Sequence, residues 1–141
     1  MIVVLDTLGL LATAALFGSM AFFSAVMAPL IFIKLEAATA DAFIRQVFPW
    51  YYIVIGVLSS LGVVSFALVR PVDALILGAV ALGAYVSRQQ IMPRINRERD
   101  LAKAGEAAAE DRFNRLHRVS VWINGAQLIG VLAVLLRFAV T

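Results

Sequence analysis

Residues 7–33 read TLGLLATAALFGSMAFFSAVMAPLIFI, 27 positions without a charge. At about 1.5 Å of rise per residue, such a helix is longer than the ~30 Å of hydrocarbon in a bilayer, so the stretch predicts a transmembrane span with some tilt. Asp6 stands where a signal peptide would carry basic residues, and the apolar run is too long for a signal-peptide core, so the stretch reads as an uncleaved first span. Pro29 removes a backbone donor and crowds the carbonyl of Ala25, which predicts a break near the end of this helix. Ala14, Gly18, Ala21, Ala25 and Ala28 form a strip of small residues at helical spacing, suited to close packing within the chain or between subunits.

The rest of the chain repeats the pattern. Residues 34–47 are polar enough for an interfacial helix, and residues 48–52, FPWYY, form an aromatic belt at the start of a second span over 48–69. The RPVD turn at 70–73 opens a third span over 71–92, whose length requires Arg88 to lie inside it, snorkelling or facing the bundle. A connection dense in both charge signs, residues 93–118, reads as a solvated helical hairpin or helix extension and leads to a fourth span over 119–137. The expected fold is an all-α, integral membrane four-helix bundle in one domain of 1–141. It has a charged helical connection between the third and fourth helices. Matching features in the two halves (Pro29 and Pro93, Phe43/Arg45 and Phe113/Arg115) suggest two pseudo-repeated helix pairs.

Composition agrees: 62% of residues are hydrophobic and mean hydropathy is +0.93, against roughly 45–50% apolar residues in soluble domains. Four spans leave no room for a soluble catalytic domain. The absence of cysteine excludes disulfides, thiolate nucleophiles and cysteine-ligated metals. The basic pI of about 9.8 reports membrane topology and not a nucleic-acid footprint. Ten of the twelve Lys and Arg residues fall at 34–47 and 88–118, so those connections should be cytoplasmic, with both termini outside and a bacterial inner membrane as the expected location.

Chemistry concentrates on one stripe of the fourth helix: Phe113, His117, Ser120, Asn124 and Gln127, at offsets of four, three, four and three. Polar groups in hydrocarbon need partners, so the stripe should face the other helices, either as interhelical glue or as a ligand, ion or substrate site. With it we group Arg88, Gln46, Tyr51 and Tyr52 as candidate ligand contacts, and Arg88, Arg94, Arg97 and Arg99 as candidates for an anionic headgroup or phosphate. His117, the single histidine, stands at the cytoplasmic mouth of the span, where a capping role competes with that of a haem ligand, proton relay or metal ligand. No phosphate-binding glycine loop, paired-carboxylate site, Ser-His-Asp order or HExxH motif occurs, which weighs against an enzyme.

Four motifs together (GSMAF at 18–22 leading to APL at 28–30, QVFPWY at 46–51, MPR at 92–94, and the Phe113, His117, Ser120, Asn124 stripe) give a chain that resembles the transmembrane protein 205 family over most of its length. The bacterial members of that family are mostly grouped as a domain of unknown function. The resemblance implies a four-helix membrane domain in which the aromatic Phe-Pro motif and the His-Ser-Asn stripe belong to one feature; it carries no catalytic residues and no settled activity. Three readings stay open: a protein that binds or passes a small molecule or ion between its helices; a haem- or quinone-linked redox protein using His117; and an assembly subunit packing its small-residue faces against a partner or as a homo-oligomer in the bilayer.

Overall fold

A computed structural model describes residues 1–140. It consists of four long helices: α1 (Ile2–Lys34), α2 (Ala37–Phe66), α3 (Pro71–Lys103) and α4 (Ala107–Val140), each long and apolar enough to cross a membrane. Short turns force sequence neighbours to be antiparallel neighbours, and the ring closes with α1 against α4.

One boundary differs from expectation. Residues 34–47 are not a separate interfacial helix, because α2 begins at Ala37 and runs unbroken through Pro49. The charged region 93–118 is the expected helical hairpin, made by the continuation of α3 and α4 and folded back at a single turn. There Gly105 adopts φ 95°, its amide donates to the Ala102 carbonyl, and the Glu106 amide donates to that of Leu101. This is the glycine-terminated helix ending that only a residue without Cβ adopts cheaply.

Pro29 and Pro93 act alike. Ahead of each, one turn widens to a π-turn, over Phe23–Met27 in α1 and Ser87–Ile91 in α3, with the Ala28 amide donating to Phe23 O and that of Met92 to Ser87 O. Widening accommodates the ring and the missing donor without ending the helix. Each half of the chain thus carries the same break in its first helix.

The core lies along the bundle axis, where Leu16, Met20, Ile55, Phe66, Leu77, Val131 and Val134 are fully buried. Glycine permits the closest approaches: a Cβ on Gly9 would stand 2.2 Å from the Phe66 ring, and one on Gly62 2.4 Å from Leu77. Helix α1 turns Gly9, Ala12, Thr13, Leu16 and Met20 inward. Most of the small-residue strip therefore faces outward: Ala14, Gly18 and Ala25 are exposed, and nothing lies within 4 Å of a Cβ on Gly18, while Ala21 and Ala28 are half-buried. Larger side chains fill the interior, and the strip forms a flat outer face.

At the end holding the 66–71 turn, Asp73 is 1% exposed and accepts from Arg137 Nε at 2.5 Å. Arg70 reaches Asp73 at 3.8 Å and Asp6 at 3.1 Å, and its guanidinium lies 3.8 Å from the Phe138 ring centroid. This cluster ties the start of α1, the turn between α2 and α3, and the end of α4 together.

Candidate functional site

At the opposite end the helices part around a cavity of about 390 Å³ to which all four contribute. Its depth follows from position along each helix. Phe23, Ser24, Tyr51, Tyr52 and Asn124 lie toward the bundle centre; Arg45, Asn96, Arg99 and His117 lie toward the charged turns. Six or seven residues separate the levels on α2 and α4, about 10 Å of helix. Between them the wall is apolar, made by Phe32, Ile44, Phe48, Met92 and Ile95.

The floor is a closed hydrogen-bond network. Tyr51 donates its hydroxyl hydrogen to Asn124 Oδ1 at 2.7 Å, and Asn124 Nδ2 donates to Ser24 Oγ at 3.0 Å. Asn124 thus joins α4 to α1 and, across the bundle diagonal, to α2. The Phe23 ring stacks on Tyr51 with centroids 4.3 Å apart, and Phe48 meets Tyr51 edge-on at 6.0 Å. Tyr52 is hydrogen-bonded to Ser87. The two adjacent tyrosines therefore each engage a serine in a π-turn, Tyr51 in α1 and Tyr52 in α3.

The mouth is ionic. Arg45 bonds Asp100 through Nη2 at 2.5 Å and Nη1 at 3.2 Å, Arg99 pairs with Asp41, and Lys103 reaches Asp41 at 2.5 Å. Arg45 Nε is 3.6 Å from Asp41, buried, and without a hydrogen-bond partner. The Arg99 guanidinium lies 4.7 Å from the Phe113 ring centroid, and Phe113 stacks on His117 at 5.9 Å.

The expected site residues separate accordingly. His117, Ser120, Asn124, Tyr51, Tyr52 and Arg99 line the cavity, although Ser120 Oγ also donates to the His117 carbonyl. Gln127 does not line it; its Nε2 donates to the Val80 carbonyl of α3 at 2.8 Å, in space left by Gly83, and its Oε1 is buried and unpaired. Gln46 is exposed on the outside of α2.

Arg88 is half-buried, lies off the cavity wall, and its Nε is buried without a partner. Regular α spacing would put it on the face of Met92, Asn96 and Arg99, but the π-turn over Ser87–Ile91 rotates it out of register. Arg94 and Arg97 line a separate groove with Arg115 and with Arg112, which is paired with Glu98 at 2.8 Å and Glu106 at 2.6 Å. The four arginines grouped from sequence therefore do not form one anion site. Residues missed from sequence are Ser24, Phe23, Asn96 and Arg45. Ser24, a hydroxyl five residues ahead of Pro29 in an apolar span, was the one with a readable signal. Among the described residues, no three His, Cys, Asp or Glu side chains gather to hold a metal.

A family model described as Domain of unknown function (DUF4149) matches residues 11–104. The chain belongs to this family. The DUF4149 match spans most of α1 and all of α2 and α3, and so contains Ser24, Tyr51, Tyr52, Arg45 and Arg99; His117 and Asn124 come from α4 beyond it. No curated protein and no solved structure matches the chain.

Proposed function

We propose that this DUF4149 protein is a membrane protein that binds a small molecule in the cavity between its four helices, holding it or passing it on. The observation that carries this reading is the convergence of all four helices on one aromatic-walled cavity with a few placed polar groups, the ordinary form of a small-molecule site. Within the family we group the chain with the transmembrane protein 205-like proteins, on the motifs that form this cavity: the aromatic QVFPWY segment and the His117, Ser120, Asn124 stripe. Ten of the twelve Lys and Arg residues lie at the cavity end or in Arg88 of span three, so the mouth faces the cytoplasm of an inner membrane and both termini face outward.

The test uses octanol as an apolar probe on protein in phosphatidylcholine nanodiscs. A bound ligand raises the unfolding midpoint in proportion to RT ln(1 + [L]/Kd). Octanol should raise it with the logarithm of its concentration above Kd in the wild type and lose that effect in Ala28→Trp, which fills the cavity from α1. An equal response in the variant would remove the cavity as the site.

A redox role is the second reading. It draws on the stacked Phe23 and Tyr51 rings, which offer a flat cofactor an aromatic wall, and on His117 at the mouth. A Soret band in protein expressed with haem, lost in His117→Ala, would put this reading first.

A further inference from the structure

The polar groups at the two levels of the cavity are in different states, and the difference shows where a ligand carries its own polar group. At the floor, Tyr51, Asn124 and Ser24 bond to one another, so an apolar tail can end there without stranding a donor. At the mouth, three cations (Arg45, Arg99, Lys103) share two carboxylates (Asp41, Asp100), which leaves one positive charge in excess. The two guanidiniums line the cavity, whereas neither carboxylate does. The carboxylates hold the arginines away from the cavity side, Asp100 on the Arg45 Nη atoms and Asp41 on Arg99, with Asp41 3.6 Å from an Arg45 Nε that is buried and makes no hydrogen bond. The excess positive charge sits on guanidiniums that face an apolar cavity, where an anionic head would be held by charge-assisted hydrogen bonds.

We infer that the cavity takes a monoanionic amphiphile, with its carboxylate or phosphodiester head on Arg45 and Arg99 and an apolar body about 10 Å long reaching the Tyr51–Asn124 floor. The inference rests on the cavity being a binding site and adds the class of its ligand. Such an acid is supplied either by the bilayer, as a lipid, or by water, as a free acid.

Octanoate, octanol and octylamine carry the same tail with three different heads. In phosphatidylcholine nanodiscs at pH 7, octanoate should stabilise the protein at about tenfold lower concentration than octanol, the size of one charge-assisted hydrogen bond, and octylamine should bind no better than octanol. Arg45→Gln combined with Arg99→Gln should erase the octanoate preference while octanol still stabilises, which shows that the cavity remains folded. Arg45→Lys, which keeps the charge, should retain most of the preference. Equal potency of octanoate and octanol, or stronger binding of octylamine, overturns the acidic class and leaves the cavity reading standing. An octanol response that Ala28→Trp does not change removes the cavity reading itself. Repeating the octanoate titration in phosphatidylglycerol nanodiscs separates the sources, and both results uphold the acidic head. A lost response means the bilayer's own anionic lipid already fills the site; a retained one means the acid comes from water.

Discussion

Replacing Asp73 by Asn keeps the shape of the side chain and removes the charge that joins three parts of the bundle at the end away from the cavity. The carboxylate is 1% exposed and lies 2.5 Å from Arg137 Nε and 3.8 Å from Arg70 Nη1. Breaking a fully buried pair costs about 3–5 kcal/mol, and a surface pair about 0–1 kcal/mol. Two observations place this case between those limits. The Arg137 side chain is 46% exposed and can turn to water, and Asp73 Oδ2 already has no hydrogen-bond partner. The expected loss is therefore about 2–3 kcal/mol. Equilibrium unfolding in mixed detergent micelles, followed by helical circular dichroism, would measure it. The double variant Asp73→Asn with Arg137→Gln should lose less than the sum of the two singles, with a coupling of about 1–2 kcal/mol. A loss under about 0.5 kcal/mol in Asp73→Asn, or strict additivity, would refute the view that this pair holds that end shut.

Gly9→Ala places a methyl into the buried Phe66 ring and should cost about 1–3 kcal/mol in the same unfolding assay, whereas Gly18→Ala meets nothing and should stay within about 0.5 kcal/mol. Gln127→Leu exchanges one hydrogen bond for relief of an unpaired buried oxygen, so stability should change by less than about 1 kcal/mol and octanol binding should be unaffected. Asn124→Leu, which opens the floor network, should weaken octanol binding severalfold, and unchanged binding would detach the network from the site. Because the chain has no cysteine, Ala104→Cys and Leu68→Cys can each be labelled alone in intact cells. An impermeant maleimide should reach position 68 and not position 104, and the reverse pattern would invert the orientation.

The four spans were legible because hydropathy and charge act residue by residue: each apolar run is long enough to cross, and each gap is polar. What lies between the helices was only partly legible, since contacts depend on rotation about each axis. Asn124 and Gln127 share one stripe of α4, yet Asn124 meets Tyr51 and Ser24 while Gln127 meets the Val80 carbonyl. Three residues along a helix differ by about 5 Å in height and 60° in direction, enough to change the facing helix. Arg88 left the expected face because α3 widens at Pro93, an effect that a proline signals without fixing its size. The pairing of Asp6 with Arg70, and of Asp73 with Arg137, joins residues 64 positions apart, which the antiparallel packing of α1 on α2 and of α3 on α4 brings together. Small residues on α1 show where close packing is allowed, and the flat strip they form lies on the outer face.

The two ends of the bundle are built to opposite rules, and that asymmetry separates binding from passage. Toward the end away from the cavity, glycine at 9 and 62 lets helices touch and the Asp73 cluster ties their ends. Toward the other end, π-turns at the two prolines widen α1 and α3 where the cavity begins, and the ionic mouth stands apart from its apolar wall. A ligand entering at the mouth meets the Tyr51–Asn124 floor, and beyond it only packed core. A protein that merely holds its ligand needs no other state, whereas one that passes it must separate Gly9 from Phe66 and break the Asp73 pairs. Weakening those pairs lowers the free energy of such an opened state relative to the closed one, so Asp73→Asn should speed release of a cavity ligand to the outer side if passage occurs. Octanoate efflux from proteoliposomes, compared between the wild type and Asp73→Asn, would show this. Unchanged efflux in a variant shown to be destabilised would make the cavity a site of binding alone.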